Sequence, residues 1–178
     1  MNILLSILGV LAAVIVLLLI IALFSKKSYT VEREIIINRP NEEVFSYIKH
    51  LKNQDNYSKW VMTDPDMKKT FTGNDGSIGF VYAWEENKKA GKGEQEIMGI
   101  KPNERIDVEV RFEKPFAGIA SVPFSTERVS EYQTRLRWGM TSQMNYPMNL
   151  MLLLMNVDKM LGNDMQQSLV KLKGILEA

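Results

Sequence analysis

Glu94 and Glu96 stand two residues apart in a β-rich stretch and so share one strand face. Turned inward, they would be polar groups in an apolar chamber, able to orient a ligand or to act as acid and base with raised pKa values. Turned outward, they form an ordinary solvated face, since carboxylates are rarely buried without a partner. Tyr82 is the third side chain on which such acid-base chemistry could draw. His50 is the single histidine, with Lys49 and Lys52 beside it and no evident partner to make it a general base, so a surface position is the simpler reading. The chain has no cysteine, which excludes disulfides, thiolate metal sites and cysteine nucleophiles. A lone histidine also leaves no HExxH zinc pair. No GxSxG occurs, and Gly73, Gly76 and Gly79 match neither dinucleotide nor P-loop spacing. The expectation is no metal and no cofactor.

What remains is apolar. Seven of the eleven methionines (Met140, Met144, Met148, Met151, Met155, Met160 and Met165) fall in the last strand and the last helical segment. Methionine is flexible and polarizable, so such a cluster either adapts to varied apolar ligands or fills an irregular core. Around Met148 to Met155 the apolar residues run nearly all round a helix, more than one buried stripe requires. Tyr82, Trp84, Phe112 and Trp138 are the aromatic candidates for lining a cavity from the strands, with Tyr57 and Trp60 near its mouth and Met140, Met151 and Met155 as the methionine candidates. Large aromatics dominate ordinary cores as well.

These side chains need elements to place them. From Tyr29 to Ile37 an alternating face carries Val31, Ile35 and Ile37, with Arg33 as the exception, and predicts a first strand. Pro40 and Asn41 open a helix with Glu42 and Glu43 in its first turn and Val44, Phe45, Ile48 and Leu51 as its buried stripe. A second short helical segment is expected around Asn53 to Trp60. Between Lys68 and Met144, turn signals at Asn74-Asp75-Gly76, Asn87 to Gly91, Pro102-Asn103, Pro115 and Ser130-Glu131 divide about six antiparallel strands. In Arg105 to Glu113, Ile106, Val108, Val110 and Phe112 alternate with charged residues, and Leu136, Trp138 and Met140 do so opposite Arg135 and Arg137. One sheet face is therefore wet and the other covered. The cover is Pro147 to Leu176, where Leu150, Leu154, Val157, Leu161, Met165, Leu169, Leu172 and Leu176 keep helical spacing and Gly162-Asn163 marks a bend. The fold class is α+β, a curved antiparallel sheet of about seven strands around a long C-terminal helix.

Ahead of this lies Ile3 to Phe24, an uncharged apolar run interrupted only by Ser6 and Gly9. As a helix it spans about 33 Å, enough for the ~30 Å hydrocarbon core. A cleaved signal peptide would need a basic start, a shorter apolar run and a small-x-small cleavage site, and the chain has none of these. The division is thus a transmembrane anchor with short linker over 1–28 and one soluble domain over 29–178. Lys26 and Lys27 flank the inner end and place the domain in the cytoplasm by the positive-inside bias. The net charge of +1, from 22 basic and 21 acidic residues, gives no basic excess for nucleic acid.

Several phrases, taken in order, resemble the superfamily of START-related, pollen-allergen-like and polyketide-cyclase-like proteins. They are Arg39-Pro40-Asn41-Glu42-Glu43-Val44-Phe45, Gly91-Lys92-Gly93, Pro102-Asn103-Glu104-Arg105-Ile106, Phe112-Glu113-Lys114-Pro115-Phe116, and Leu161-Gly162-Asn163-Asp164 leading into Leu169, Lys171, Leu172 and Lys173. The resemblance covers residues 29 to 178 and implies the helix-grip fold with a cavity between sheet and last helix. It hosts carriers, receptors, cyclases and chaperone activators, so it does not select among functions. The expectation is a membrane-tethered binding protein for a small hydrophobic ligand (lipid, isoprenoid or aromatic), with enzymatic activity left open and no protein partner specified. The alternatives are a polyketide cyclase or dehydratase using Glu94, Glu96 or Tyr82, and a chaperone-activator-like interaction module.

Overall fold

Alternation and turn chemistry become a single antiparallel sheet. The computed structural model describes residues 2–64, 66–85 and 91–178. Its strands are β1 (Ser28–Ile37), β2 (Lys68–Thr72), β3 (Val81–Glu85), β4 (Lys92–Lys101), β5 (Arg105–Lys114), β6 (Gly118–Ser130) and β7 (Gln133–Gln143), in the order β1-β7-β6-β5-β4-β3-β2. The expected break at Asn87 to Gly91 lies outside the described residues except for Gly91, whose φ of +67° suits a glycine. Between β1 and β2 run the helices α2 (Asn41–Ile48), α3 (Gln54–Tyr57) and α4 (Lys59–Met62). Val44, Phe45 and Ile48 of α2 are buried, as the spacing predicts.

The inward parity of the strands is set by Ile106, Val108 and Val110 on β5 and by Leu136, Trp138 and Met140 on β7, all buried. The opposite face is an ionic lattice. Arg137 and Arg135 of β7 meet Glu34 and Glu127 there, and Arg111 meets three glutamates.

The C-terminal cover differs from the expected continuous helix. Residues 148–150 form a 3₁₀ turn and α5 (Met151–Leu154) follows, but Met155 then turns extended before α6 (Val157–Glu177) begins. The cause is local: the Asn156 side chain accepts the Lys159 N–H at 2.8 Å and caps a new helix. α6 lies along β1 and against α3 and α4, burying Val157, Met165, Leu169 and Leu172. Each fully buried side chain of this size contributes about 1.5–3 kcal/mol.

Gly162 is not a bend. It lies within unbroken α6, and a Cβ there would stand 1.9 Å from Nη2 of Arg33. Arg33 therefore occupies an inward position of β1 by crossing α6 at its glycine, where its guanidinium donates to both Asp158 carboxylate oxygens at 3.0 Å. This explains the exception in the alternation of β1.

The N-terminal helix α1 (Asn2–Phe24) is long and apolar enough to cross a membrane. It meets the 3₁₀ turn of residues 148–150, and Ala22 in its last turn is buried. Ser28 pairs with Gln143, and the neighbouring ladder pairs Ala120 with Ser142. The end of the sheet holding Ser28, Gln143 and the β5–β6 turn is thus the end from which α1 departs.

Candidate ligand cavity

A cavity of about 210 Å³ opens between the inner sheet face, α3, α4 and the first turns of α6. Its sheet wall is Tyr82 and Trp84 of β3, Gln95 of β4, Val110 and Phe112 of β5, Val122 of β6, and Trp138 and Met140 of β7. Gln54, Ser58, Trp60, Val61, Met67 and Leu161 complete it. Trp84 pairs with Gly93, Gly93 with Phe112, and Phe112 with Gly118, so one row of the wall lies at the α1 end of the sheet.

Aromatic edges shape this wall. Trp60 stands edge-on to Trp138 with centroids 5.4 Å apart, and Trp84 stands edge-on to Phe112 at 6.2 Å. Both are favoured geometries for ring quadrupoles. Trp84 lies flat over β4 because residue 93 is glycine: a Cβ there would come within 2.7 Å of Trp84 Cζ2 and 2.6 Å of the Arg111 carbonyl oxygen. Tyr57 is buried behind Trp138, at 6.5 Å and edge-on, and does not line the space.

Three polar features interrupt the apolar lining. Gln54 and Gln95 are buried and exchange two amide hydrogen bonds at 3.3 and 3.1 Å, closing on each other across 41 residues of chain. The Tyr82 hydroxyl donates to Asp55 at 2.7 Å, and Asp55 in turn pairs with Lys69 at 2.9 Å. Burial first, and the bond to Asp55 second, push the Tyr82 hydroxyl well above its ordinary range, so it stays protonated. The third is Ser58, between α3 and α4. The Trp138 indole N–H is covered on all sides, the cavity side included, and has no hydrogen-bond partner among the described residues. An unsatisfied buried donor costs about 1–3 kcal/mol.

The expected residues separate into three groups. Tyr82, Trp84, Phe112, Trp138 and Met140 come together on the cavity. Met151 and Met155 do not: Met151 is exposed on α5, and Met155, half-buried, packs on the core outside the cavity. The helix break at Met155 and Asn156 takes both off the α6 stripe.

Glu94 and Glu96 are corrected outright. They lie on the outer face, where Arg111 donates to Glu96 at 2.6 Å and to Glu94 and Glu109 at 2.7 Å. These bonds hold the Arg111 guanidinium above even its ordinary pKa, Glu96 contributing most. Ile97 explains the inversion: it is fully buried, so the alternate positions Gln95 and Gly93 face inward. Gln54, Gln95 and Met67 were missed on the sequence, and the parity of Ile97 was the signal that could have found Gln95. His50 lies outside the site, 3.6 Å from Asp75.

Among the described residues no His, Cys, Asp and Glu cluster suits a metal. Among the described residues Tyr82 is the one titratable group on the cavity wall, and its hydroxyl is already committed. The arrangement can enclose a neutral, ring-bearing molecule.

No family model matches the chain, and no curated protein matches it. Solved structures do. Norcoclaurine synthase from Thalictrum flavum, in complex with dopamine and hydroxybenzaldehyde, superposes with a TM-score of 0.63 at 10% identity, over 89% of this chain and 92% of that one. A protein from Rhizobium loti gives 0.61 at 14% identity, over 83% and 96%. A protein from Chromobacterium violaceum gives 0.60 at 14%, over 84% and 97%. At these identities the likeness establishes the helix-grip fold expected from the sequence.

Proposed function

We propose that this chain is a membrane-tethered binding protein that encloses the neutral, ring-sized part of a small hydrophobic molecule between its sheet and α6. The observation that carries this reading is the cavity wall: three tryptophans, a phenylalanine, aliphatic and methionine side chains, a Gln54–Gln95 pair closed on itself, Ser58, one committed tyrosine, and no free charge among the described residues. About 210 Å³ exceeds the ~150 Å³ engineered cavity that takes up benzene and falls short of the ~300–1,000 Å³ of drug-sized sites. One substituted or fused ring system fits; a whole acyl lipid does not. Aromatic and short isoprenoid ligands are therefore preferred.

The same reading makes α1 the membrane-spanning anchor of residues 1–28, with residues 29–178 as the binding domain. Lys26 and Lys27 favour a cytoplasmic domain. A cyclase or dehydratase would need a free inward acid or base, and Glu94 and Glu96 are engaged with Arg111 on the other face.

The test uses the full chain in detergent micelles with 1,4-naphthoquinone, a neutral fused ring with two carbonyl acceptors that quenches tryptophan emission. Saturable quenching is expected, weakened about three- to tenfold in Trp138→Phe by loss of part of the ring surface against the ligand. Quenching that stays linear in quinone, and identical in the variant, would remove the proposal.

A further inference from the structure

The α1 end of the domain carries a second apolar feature, which the cavity does not absorb. Between Arg137 and Asp158 there is no charged residue, and the segment Met144 to Val157 passes directly beside the C-terminus of α1. Asn149 fixes the two together. It is completely buried, and its Nδ2 donates to the carbonyl of Ala22 at 2.7 Å and, more weakly, to that of Ser25 at 3.3 Å. These are carbonyls that a helix end leaves without intrahelical partners. A further backbone bond joins the Met144 N–H to the Lys27 carbonyl at 2.8 Å.

From this joint, apolar side chains project outward. Tyr146, Met148, Met151 and Leu153 are all exposed, and Leu154 is 83% exposed. The β5–β6 turn reaches the same end of the sheet, and at its tip Phe116 is 68% exposed. Lys26, Lys27 and Lys114 are exposed beside them. Apolar side chains flanked by lysine is the composition of a surface lying in a lipid headgroup region. α1 itself exposes apolar side chains on all sides up to Phe24. Whatever covers α1 down to its last turn arrives at the level where Asn149 is bonded.

We infer that this end face, formed by Tyr146–Leu154 and the Phe116 turn, is a lipid-contacting surface that seats the domain in the boundary between headgroups and acyl chains. The inference rests on the reading that α1 crosses the bilayer. The occupant is lipid because the patch stands at the end of the domain where the bare apolar surface of α1 stops, with lysines at its side. It places the aromatic row Trp84 and Phe112 next to the film from which an apolar ligand would come.

The chain lacks cysteine, so single-cysteine spin labels report one position each. Full-length protein carrying Leu153→Cys, Phe116→Cys, Val14→Cys or Val129→Cys is reconstituted in phosphatidylcholine vesicles with one quarter phosphatidylglycerol. Collision with oxygen, which concentrates in lipid, is compared with collision with a water-soluble nickel chelate. Labels at 153 and 116 are expected about 5–10 Å below the phosphate level. Val14 should be deeper still, and Val129, exposed at the opposite end of β6, should be aqueous. Aqueous labels at 153 and 116 with a lipid-buried Val14 overturn this inference and leave the anchor standing. An aqueous Val14 overturns the anchor reading itself. Spin-spin broadening at 153, with shielding from both reagents, means a second copy covers the face and also overturns the lipid assignment.

Discussion

Val110→Phe decides by its sign whether the space inside the sheet is a cavity or a well-filled core. Val110 lines the cavity on β5, with Gln95 opposite on one side and the small Ala120 on the other. Phenylalanine adds four carbons net. At about 0.8 kcal/mol per buried carbon their burial has a ceiling of about 3 kcal/mol, and ordering the larger side chain takes back about 1 kcal/mol. The empty protein should therefore gain about 2 kcal/mol. In a filled core the same substitution costs about 1–3 kcal/mol through displaced side chains and backbone. The two cases differ in sign and by several kcal/mol. For a domain of this size the gain corresponds to a rise in Tm of about 4–8 °C. Thermal unfolding of the full chain in micelles, followed by near-ultraviolet circular dichroism, reads the shift. Naphthoquinone quenching should fall at least tenfold in the same variant, since the added ring occupies the site. A lower Tm with unchanged quenching would refute the cavity argument.

Three further substitutions probe the elements that shape the site. Gly93→Ala must displace Trp84 from Phe112, because the Arg111 carbonyl on the other side of the new Cβ cannot yield; a loss of about 2 kcal/mol and a shifted tryptophan emission maximum are expected in urea titrations. Arg111→Ala leaves Glu96 directly opposite Glu109, with Glu94 alongside. The expected loss is about 1–2 kcal/mol, discounted for partial exposure and reduced by added salt, and a salt-independent loss would point away from charge repulsion. Asp158→Asn tests linkage. Its hydrogen bonds with Arg33 hold the Asp158 carboxyl below the ordinary value, so its contribution is complete above the unfolded pKa of about 3.9 and fades as pH falls through the lower folded value. The variant should be the less stable protein at pH 6, with the difference closing below about pH 4; a gap that widens in acid would contradict the pairing.

Much of the fold is visible in local pattern. The alternation at Ile106 to Phe112 and at Leu136 to Met140 specifies both the strand and its inward side, because a one-residue slip would put every apolar side chain in water. The spacing of Met165, Leu169 and Leu172 does the same for α6. Tyr82, Trp84, Phe112, Trp138 and Met140 follow from this, since cavity lining and core share one parity. The misplacements arise where polar residues take inward positions. Gln95 is satisfied by Gln54 far away in sequence, so no local signal marks its side as the interior, and the two glutamates flanking it were open to either face. Arg33 and Gly162 form another distant pair: a charged residue and a glycine, each odd alone, account for one another in the packed structure. The interruption before α6 depends on one side-chain cap at Asn156, which the run of apolar residues from Met148 to Met155 conceals.

The joint at Asn149 changes what kind of attachment α1 provides. Only Ser25, Lys26 and Lys27 separate α1 from β1, and Asn149 and Met144 both grip this stretch. A loose leash would let the domain tumble and would sample ligand through a hemisphere of water. With α1 as the membrane anchor proposed above, a stiff bracket would hold one pose, so that every copy in a bilayer would present the same side to the film. The search for an apolar solute then becomes lateral diffusion in two dimensions, where the solute is already concentrated, and capture needs no reorientation of the receiver.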